Sequence, residues 1–121
     1  MKYMVAGPDE QSNSDLKKIL DSYKILAFSG SFMTFGEAMK SICKEPIDIA
    51  FIRIGKAELN AYELICEVRK QNLFAKVILL SNFEEYAVEA FNCEADGFIL
   101  IPFNEEKIKK LMLRIIEKRE T

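Results

Sequence analysis

Apolar residues recur along this chain with two different periods. Short aliphatic and β-branched runs return at intervals of roughly 20 to 30 residues, a spacing typical of strands separated by helices. These runs predict five strands: Lys2 to Ala6, Lys24 to Phe28, Ile47 to Arg53, Lys76 to Ser81 and Gly97 to Ile101. The intervening segments have the helical period and predict helices near Ser14 to Tyr23, after Thr34, near Ala61 to Lys70, near Phe83 to Cys93 and after Asn104.

Two of the predicted helices have recognisable first residues. Thr34 and Glu37 have the spacing of a capping box, in which each side chain bonds the other residue's exposed backbone N–H group. Asn104 is a suitable N-cap residue and is followed by two glutamates, which favour the positive end of the helix dipole. An apolar stripe then predicts the buried face of the last helix: Ile108, Leu111, Met112, Ile115 and Ile116.

Strict alternation of strands and helices requires right-handed crossovers and a parallel sheet covered on both faces. We therefore predict one doubly wound, flavodoxin-like α/β domain over residues 1–121. The apolar run from Ile47 to Ile54 suits a central strand, whereas Lys24 to Ser29 alternates less strongly and suits an edge. In such folds, function gathers beyond the carboxyl ends of the strands.

Composition narrows the functional classes. Half of the 121 residues are apolar and 30% are charged, which is typical of a globular domain that folds alone. The net charge of −2 gives no overall attraction to nucleic acid or to an anionic membrane. The apolar runs are too short to span a bilayer and the N-terminus lacks a long apolar signal core, so a cytoplasmic location is expected.

Few residues offer metal or redox chemistry. The chain has no histidine, which removes the commonest general base and the usual imidazole ligand. Cys43, Cys66 and Cys93 have neither disulfide nor zinc spacing, and we expect them to be buried reduced thiols. Neither a metal site nor a cofactor is predicted.

Specific motifs lie in the second half of the chain. Val77 to Ser81 is a strand that closes in a hydroxyl residue, EEYAVEAF from Glu84 to Phe91 is helical, and DGFILIPF from Asp96 to Phe103 is a strand followed by Pro-Phe. These segments resemble response-regulator receiver (CheY-like) domains, especially those of LytTR-type and related Gram-positive transcriptional regulators. The resemblance covers the whole chain and implies a five-stranded sheet of order 2-1-3-4-5.

Receiver chemistry requires an aspartate at the end of strand three, a hydroxyl after strand four and a lysine before the strand-five proline. By the resemblance, the aspartate position falls on Arg53 and the lysine position on Ile101, so both required groups are deleted. A guanidinium cannot accept a phosphoryl group. Ser81 does match the hydroxyl position, and Phe98 matches the aromatic residue whose burial reports activation. The Ile101-Pro102 peptide is expected to be cis.

The family also places an acidic pair after strand one, where it holds magnesium. That pair falls on Gly7-Pro8 or, with a one-residue slip, on Pro8-Asp9, so Asp9 and Glu10 are the nearest carboxylates. Magnesium binding is therefore expected to be weak or absent. We expect the charge of Arg53 to pair with Asp9 or Glu10 and to bridge the ends of strands one and three.

Other charged and aromatic residues are assigned to structure or to a surface. Asp48 is interpreted as a strand-entry residue, and Asp96 as part of the turn before strand five. Cations along the last helix are interpreted as a solvated face, with contact to DNA or an acidic partner as the alternative: Lys107, Lys109, Lys110, Arg114, Lys118 and Arg119. Of five clustered aromatics, most should be core and one or two exposed at an interface: Phe83, Tyr86, Phe91, Phe98 and Phe103. Tyr86 is expected to be exposed, and Phe91 and Phe103 are the other interface candidates.

The leading hypothesis is a pseudo-receiver that is not an enzyme and acts by phosphorylation-independent protein contact, as a homodimer through the fourth helix, fifth strand and fifth helix. It would be the N-terminal part of a transcriptional regulator, with DNA contacts in a further C-terminal domain, or a stand-alone adaptor. One alternative is a sensor of a small anionic ligand around Arg53. Others are an active phosphoacceptor using Asp9 or Ser81, and an enzyme or flavin carrier, which the acidic loop Gly7 to Glu10 disfavours.

Overall fold

The five predicted strands form one parallel sheet with helices between them. The computed structural model describes residues 1–54 and 61–120. Within this part of the chain the elements are β1 (Lys2–Ala6), α1 (Glu10–Leu20), β2 (Ala27–Phe32), α2 (Phe35–Lys44), β3 (Ile49–Arg53), α3 (Ala61–Gln71), β4 (Lys76–Ser81), α4 (Tyr86–Asn92), β5 (Gly97–Leu100) and α5 (Glu105–Glu120).

The lateral order of the strands is β2-β1-β3-β4-β5, and each pairing is parallel. This confirms the doubly wound α/β prediction, with β3 in the centre and β2 at an edge. The first four residues of β3 are buried, as a strand covered on both faces requires.

Two apolar clusters cover the two faces of the sheet. Successive strand residues point to opposite faces, so in β3 Ile49 and Phe51 belong to one cluster and Ala50 and Ile52 to the other. Helices α1 and α5 pack on the first face, and α2, α3 and α4 pack on the second. The predicted stripe of α5 is confirmed, with Ile116 half-buried at its end.

Several element boundaries differ from the prediction. Helix α1 begins about one turn before Ser14, because the side chain of Asp9 caps it by accepting the backbone N–H of Gln11 at 3.1 Å. Strand β2 begins at Ala27 rather than Lys24, because the preceding residues form a turn and the pairing with β1 begins at Ala27, whose N–H donates to the carbonyl of Met1 at 2.7 Å.

The start of α4 also differs. The helix was expected from Phe83 to Cys93 but is Tyr86–Asn92, because Phe83 closes a turn by accepting the backbone N–H of Tyr86 at 3.2 Å. The two cap predictions are confirmed at their N-cap side chains. Thr34 accepts the N–H of Glu37 at 3.2 Å, and Asn104 accepts the N–H of Lys107 at 2.9 Å.

Both aspartates assigned to structure have that role. Asp48 accepts the backbone N–H of Lys2 at 2.8 Å, which ties the start of β3 to β1. Asp96 accepts the N–H of Val77 at 2.8 Å and lies 3.4 Å from the guanidinium of Arg69, so its carboxylate fixes the turn into β5.

The expectation of buried cysteines is wrong. The three thiols are free, but Cys43 and Cys66 are exposed and Cys93 is half-buried. The reason is helix phase: α2 and α3 direct other residues, such as Ile42 and Leu64, to the sheet. In the described part of the chain, no helix has the length and apolar character needed to cross a membrane.

We expect Gly97→Ala to lower the free energy of unfolding. A Cβ atom at Gly97 would lie 2.6 Å from Cδ1 of Leu111 and 3.3 Å from Cδ1 of Ile78, which are both buried. Overpacking of this kind costs about 1–3 kcal/mol. Urea unfolding measures the loss.

Gly36→Ala is the matched control for this substitution. Gly36 lies in the first turn of α2, and a Cβ there would meet nothing within 4 Å. Alanine should raise stability by about 0.5–1 kcal/mol, because it loses less backbone entropy than glycine in a helix. Equal effects of the two substitutions would contradict the packing argument.

Candidate functional site at the carboxyl ends of the strands

An open cleft lies where the carboxyl ends of the central strands meet. Strands β1, β3 and β4 are neighbours in the sheet, so their last residues and the loops after them lie side by side. The cleft has a volume of about 370 Å³ between α1 and the loop that joins β5 to α5. Its lining residues are Asp9, Gln11, Ser12, Asp15, Ile19, Arg53, Asn82, Ile101, Pro102 and Phe103.

Arg53 is the central side chain of this cleft. It is the last residue of β3, and its side chain is only 22% exposed. Its Nη1 atom lies 3.5 Å from Oδ2 of Asp9, and its Nη2 atom donates to Oδ1 of Asn82 at 2.7 Å. The guanidinium therefore joins the segments that follow β1 and β4. The predicted pairing with Asp9 is confirmed, whereas Glu10 is exposed on the first turn of α1 and does not line the cleft.

The loop after β1 leaves room for Arg53 because residue 7 is glycine. A Cβ atom at Gly7 would lie 3.0 Å from Cβ of Arg53 and 3.1 Å from Oδ1 of Asn13. Asn13 is buried on α1, and its Nδ2 atom donates to the carbonyl of Gly7 at 2.9 Å. A larger residue at position 7 would displace one of these two side chains.

Ser81 lies beneath the cleft and does not line it. The residue is fully buried, and its Oγ atom accepts the backbone N–H of Phe83 at 3.1 Å. The hydroxyl therefore fixes the turn after β4 and so holds the following residue, Asn82, beside Arg53. The structure gives Ser81 a supporting position under the site.

The wall opposite α1 is apolar. The Ile101-Pro102 peptide is cis, as expected. Ile101 and Phe103 are half-buried and pack against the cluster between the sheet and helices α1 and α5. An aliphatic side chain thus stands at position 101, while Nζ of Lys107 donates to the carbonyl of Pro102 at 3.4 Å.

The charges of the cleft disfavour an anion, and its oxygen donors do not suit magnesium. Among the lining residues, Asp9 and Asp15 are opposed by Arg53 alone, which gives a local charge of −1. The carboxylate of Asp9 is already engaged by Arg53 and by the N–H of Gln11. Within residues 1–54 and 61–120, no three histidine, cysteine, aspartate or glutamate side chains are grouped so that they could hold a metal ion. A hard cation needs several oxygen ligands, so this donor set does not fit magnesium.

The predicted surface aromatics divide into two groups. Tyr86 is half-buried with its ring centroid 6.0 Å from that of Phe83, so the expectation that it is exposed is wrong. The short α4 directs Tyr86 toward the core and Phe91 outward, where Phe91 is 83% exposed. Phe98 and Phe103 are half-buried.

Sequence reasoning missed two residues of the site. Asn82 follows directly after Ser81, the hydroxyl residue that closes β4, and this place is the signal that could have put it near the residue that ends β3. Asn13 shares a helical face with Leu16 and Leu20, and a polar residue on an apolar face indicates a buried partner. The partner itself, the carbonyl of Gly7, follows only from the folded loop.

Comparisons with known proteins agree on one class of domain. No protein-family model matches the chain. It is 23% identical over 121 residues to the sensory transduction protein LytT of Bacillus anthracis, covering 100% of this chain and 49% of that protein. It is 21% identical over 115 residues to the transcriptional regulatory protein LytR of Staphylococcus aureus, covering 95% of this chain and 47% of that protein. The chain thus spans about half the length of these curated relatives.

Solved structures give the same fold. The response regulatory domain of protein mrkE from Klebsiella pneumoniae matches with a TM-score of 0.87 and 22% identity over 99% of this chain and 98% of that one. A CheY-like response regulator receiver domain protein from Methanospirillum hungatei matches with a TM-score of 0.82 and 21% identity over 98% and 95% of the two chains.

We expect a measurable but small coupling between Asp9 and Arg53. A double-mutant cycle with Asp9→Asn and Arg53→Gln should give about 0.5 kcal/mol, within the range of partly exposed pairs. Asparagine keeps the N-cap of α1, so the cycle isolates the ion pair. Urea unfolding of the four proteins supplies the energies.

Asp15→Asn provides the control cycle with Arg53→Gln. Asp15 lines the same cleft, but its carboxylate accepts from Gln11 at 2.8 Å and forms no ion pair with Arg53. The control coupling should be zero. Equal coupling at both aspartates would contradict a specific contact.

Proposed function

We propose that this chain, a response-regulator receiver domain by its homologues and its fold, is a pseudo-receiver that acts through protein contacts without being phosphorylated. The observation that carries the proposal is Arg53. Its guanidinium ends β3 and is bound by Asp9 and Asn82 in the cleft where a receiver needs an aspartate nucleophile. A guanidinium has donors only and cannot take up a phosphoryl group.

A shift in the alignment of β3 does not supply a nucleophile. The neighbours of Arg53 along the chain are Phe51, Ile52 and Ile54, which are all apolar and buried. The apolar strand β3 therefore carries no carboxylate at the cleft. Asp48 lies at the opposite end of the strand, bonded to the backbone of Lys2.

The groups that would support an acyl phosphate are also missing or engaged. Position 101 is isoleucine, so the cation that balances phosphoryl charge is absent from the loop before Pro102. The Ser81 hydroxyl accepts the N–H of Phe83 from a fully buried position. Neither Asp9 nor Ser81 has the surroundings of an active phosphoacceptor.

The anion-sensor alternative receives less support from the geometry. Arg53 is the attractive group for an anion, but its two terminal nitrogens already contact Asp9 and Asn82. Asp15 adds a further negative charge to the lining. An anion entering the cleft would have to displace the internal partner of Arg53 while facing two carboxylates.

We infer that protein contacts, including a homodimer, use the surface of α4, β5 and α5. Val88 and Phe91 are 65% and 83% exposed on α4. An open groove of about 240 Å³ between β5 and α5 is lined by three cations and apolar residues: Phe98, Ile99, Leu100, Lys107, Lys110, Leu111 and Arg114. Exposed aromatic residues and arginine are enriched at protein interfaces.

We further propose that the domain is the N-terminal part of a cytoplasmic transcriptional regulator. The support is its similarity to about half of LytT and of LytR, which is named as a transcriptional regulatory protein. Any contact with DNA would then be made by a C-terminal output domain, whose activity the receiver-like module would control by its own association.

The proposal predicts no response to an acyl-phosphate mimic. Addition of magnesium and beryllofluoride should leave the backbone amide NMR spectrum of the chain unchanged, because both the nucleophile and the metal ligands are missing. An intact CheY-like receiver in the same solution serves as the reagent control. Saturable shifts near Asp9, Arg53 and Ser81 would overturn the proposal.

A variant with the receiver residues restored tests whether positions 8, 53 and 101 account for the missing response to beryllofluoride. Pro8→Asp, Arg53→Asp and Ile101→Lys are combined in one chain, which returns the missing carboxylates and cation. Saturable beryllofluoride shifts in this variant alone would assign the loss to these positions.

The interface predicts that Phe91→Ser weakens self-association. Loss of an exposed aromatic at an interface centre should raise the dimer dissociation constant about tenfold or more. Sedimentation equilibrium measures the constant. Phe74→Ser is the matched control, because Phe74 is 85% exposed but lies between α3 and β4, outside this surface. Equal effects of the two substitutions would count against the assigned interface.

A further inference from the structure

The outer side of β2 presents unpaired backbone groups. β2 is the last strand at its edge of the sheet, opposite β5. The N–H of Ala27 donates to Met1 and the carbonyl of Phe32 accepts from Gly7, so these two residues direct their groups toward β1. Successive residues of a strand alternate in direction, so Phe28 and Ser31 direct theirs outward. These positions can pair with another strand.

The strand at this edge is apolar and carries no charge of its own. Ile25, Phe28 and Met33 are 39%, 42% and 49% exposed along and beside the strand. From Ile25 to Gly36 the sequence has neither a charged residue nor a proline. Charges and prolines are the usual means by which proteins prevent strand addition at an open edge. β2 lacks both.

The side chain of Phe28 is held in place for a contact across strands. Its ring centroid lies 5.6 Å from that of Tyr3, and Nζ of Lys17 lies 4.7 Å from the Phe28 centroid. The β1 ladder shifts between Tyr3 and Met4 and passes over Ser29, so a partner would pair with the strand on both sides of that irregularity. Aromatic pairs across neighbouring strands stabilise such contacts.

We propose that a second copy of this chain pairs antiparallel with β2 through this edge, joining two sheets across a twofold axis. Charge complementarity at the ends of the strand favours this partner. An antiparallel arrangement brings Lys24 of one copy toward the end at which Glu37 of the other lies, and both residues are exposed. The segment between these ends carries no charge of its own, and the cation beside it, Lys17, lies over the Phe28 ring. The inference does not depend on the phosphorylation state of the domain or on the α4, β5 and α5 surface.

The test uses the Phe91→Ser chain, in which the other proposed interface is weakened. Sedimentation equilibrium should still detect a dimer in this background. Adding Ser31→Lys places a charge at the outward edge and should raise the dissociation constant at least about tenfold. Adding Ser14→Lys makes the same charge change at an exposed position of α1 and should leave the constant unchanged.

A monomeric Phe91→Ser chain at millimolar concentration would overturn the proposal, as would a dimer insensitive to Ser31→Lys. A second measurement avoids reliance on the folding of the lysine variant. In the unmodified chain, the amide resonances of Phe28 and Ser31 should shift with protein concentration and become protected from hydrogen exchange. Concentration-dependent shifts confined to α4, β5 and α5 would also overturn the proposal.

Discussion

The backbone of five parallel strands must satisfy its polar groups within the sheet, because helices cover both faces and exclude water. Neighbouring strands are thereby held in register, and the alternation of side chains divides the core into two clusters. The same constraint brings the ends of β1, β3 and β4 together. The pairing of the strands therefore decides where the cleft lies, and no additional helix or strand is needed to form it.

Arg53 changes the electrostatics of this strand-end region. A receiver that carries an aspartate at this position gathers negative charge there, which a metal ion must offset. Here the positive charge belongs to the chain and contacts Asp9, while Asn82 accepts from the same guanidinium. The proposed independence from phosphorylation thus follows from the charge of Arg53, which balances that of Asp9 without a metal ion. The local geometry is supported from beneath by buried Asn13 and Ser81.

The two edges of the sheet have different surfaces. Next to β5 are the cations of α5 and the exposed aromatic of α4, whereas β2 presents uncharged backbone and apolar side chains. Contacts at one edge leave the other accessible, because β2 and β5 lie on opposite sides of the sheet. If both proposed associations form, one chain can bind two partners at once. The substitutions Phe91→Ser and Ser31→Lys then weaken the two associations separately.

The sequence alone determined the α/β alternation, the central place of β3 and the helix caps at Thr34 and Asn104. These features follow from local periodicity and residue type. Only the tertiary structure decided that Asn82 binds Arg53, that Ser81 lies under the cleft and that Phe91 rather than Tyr86 is exposed. The start of β2 was likewise decided by its first bond to β1. Such contacts join residues far apart in the chain, and burial depends on helix phase and packing, so neither can be obtained from residue spacing.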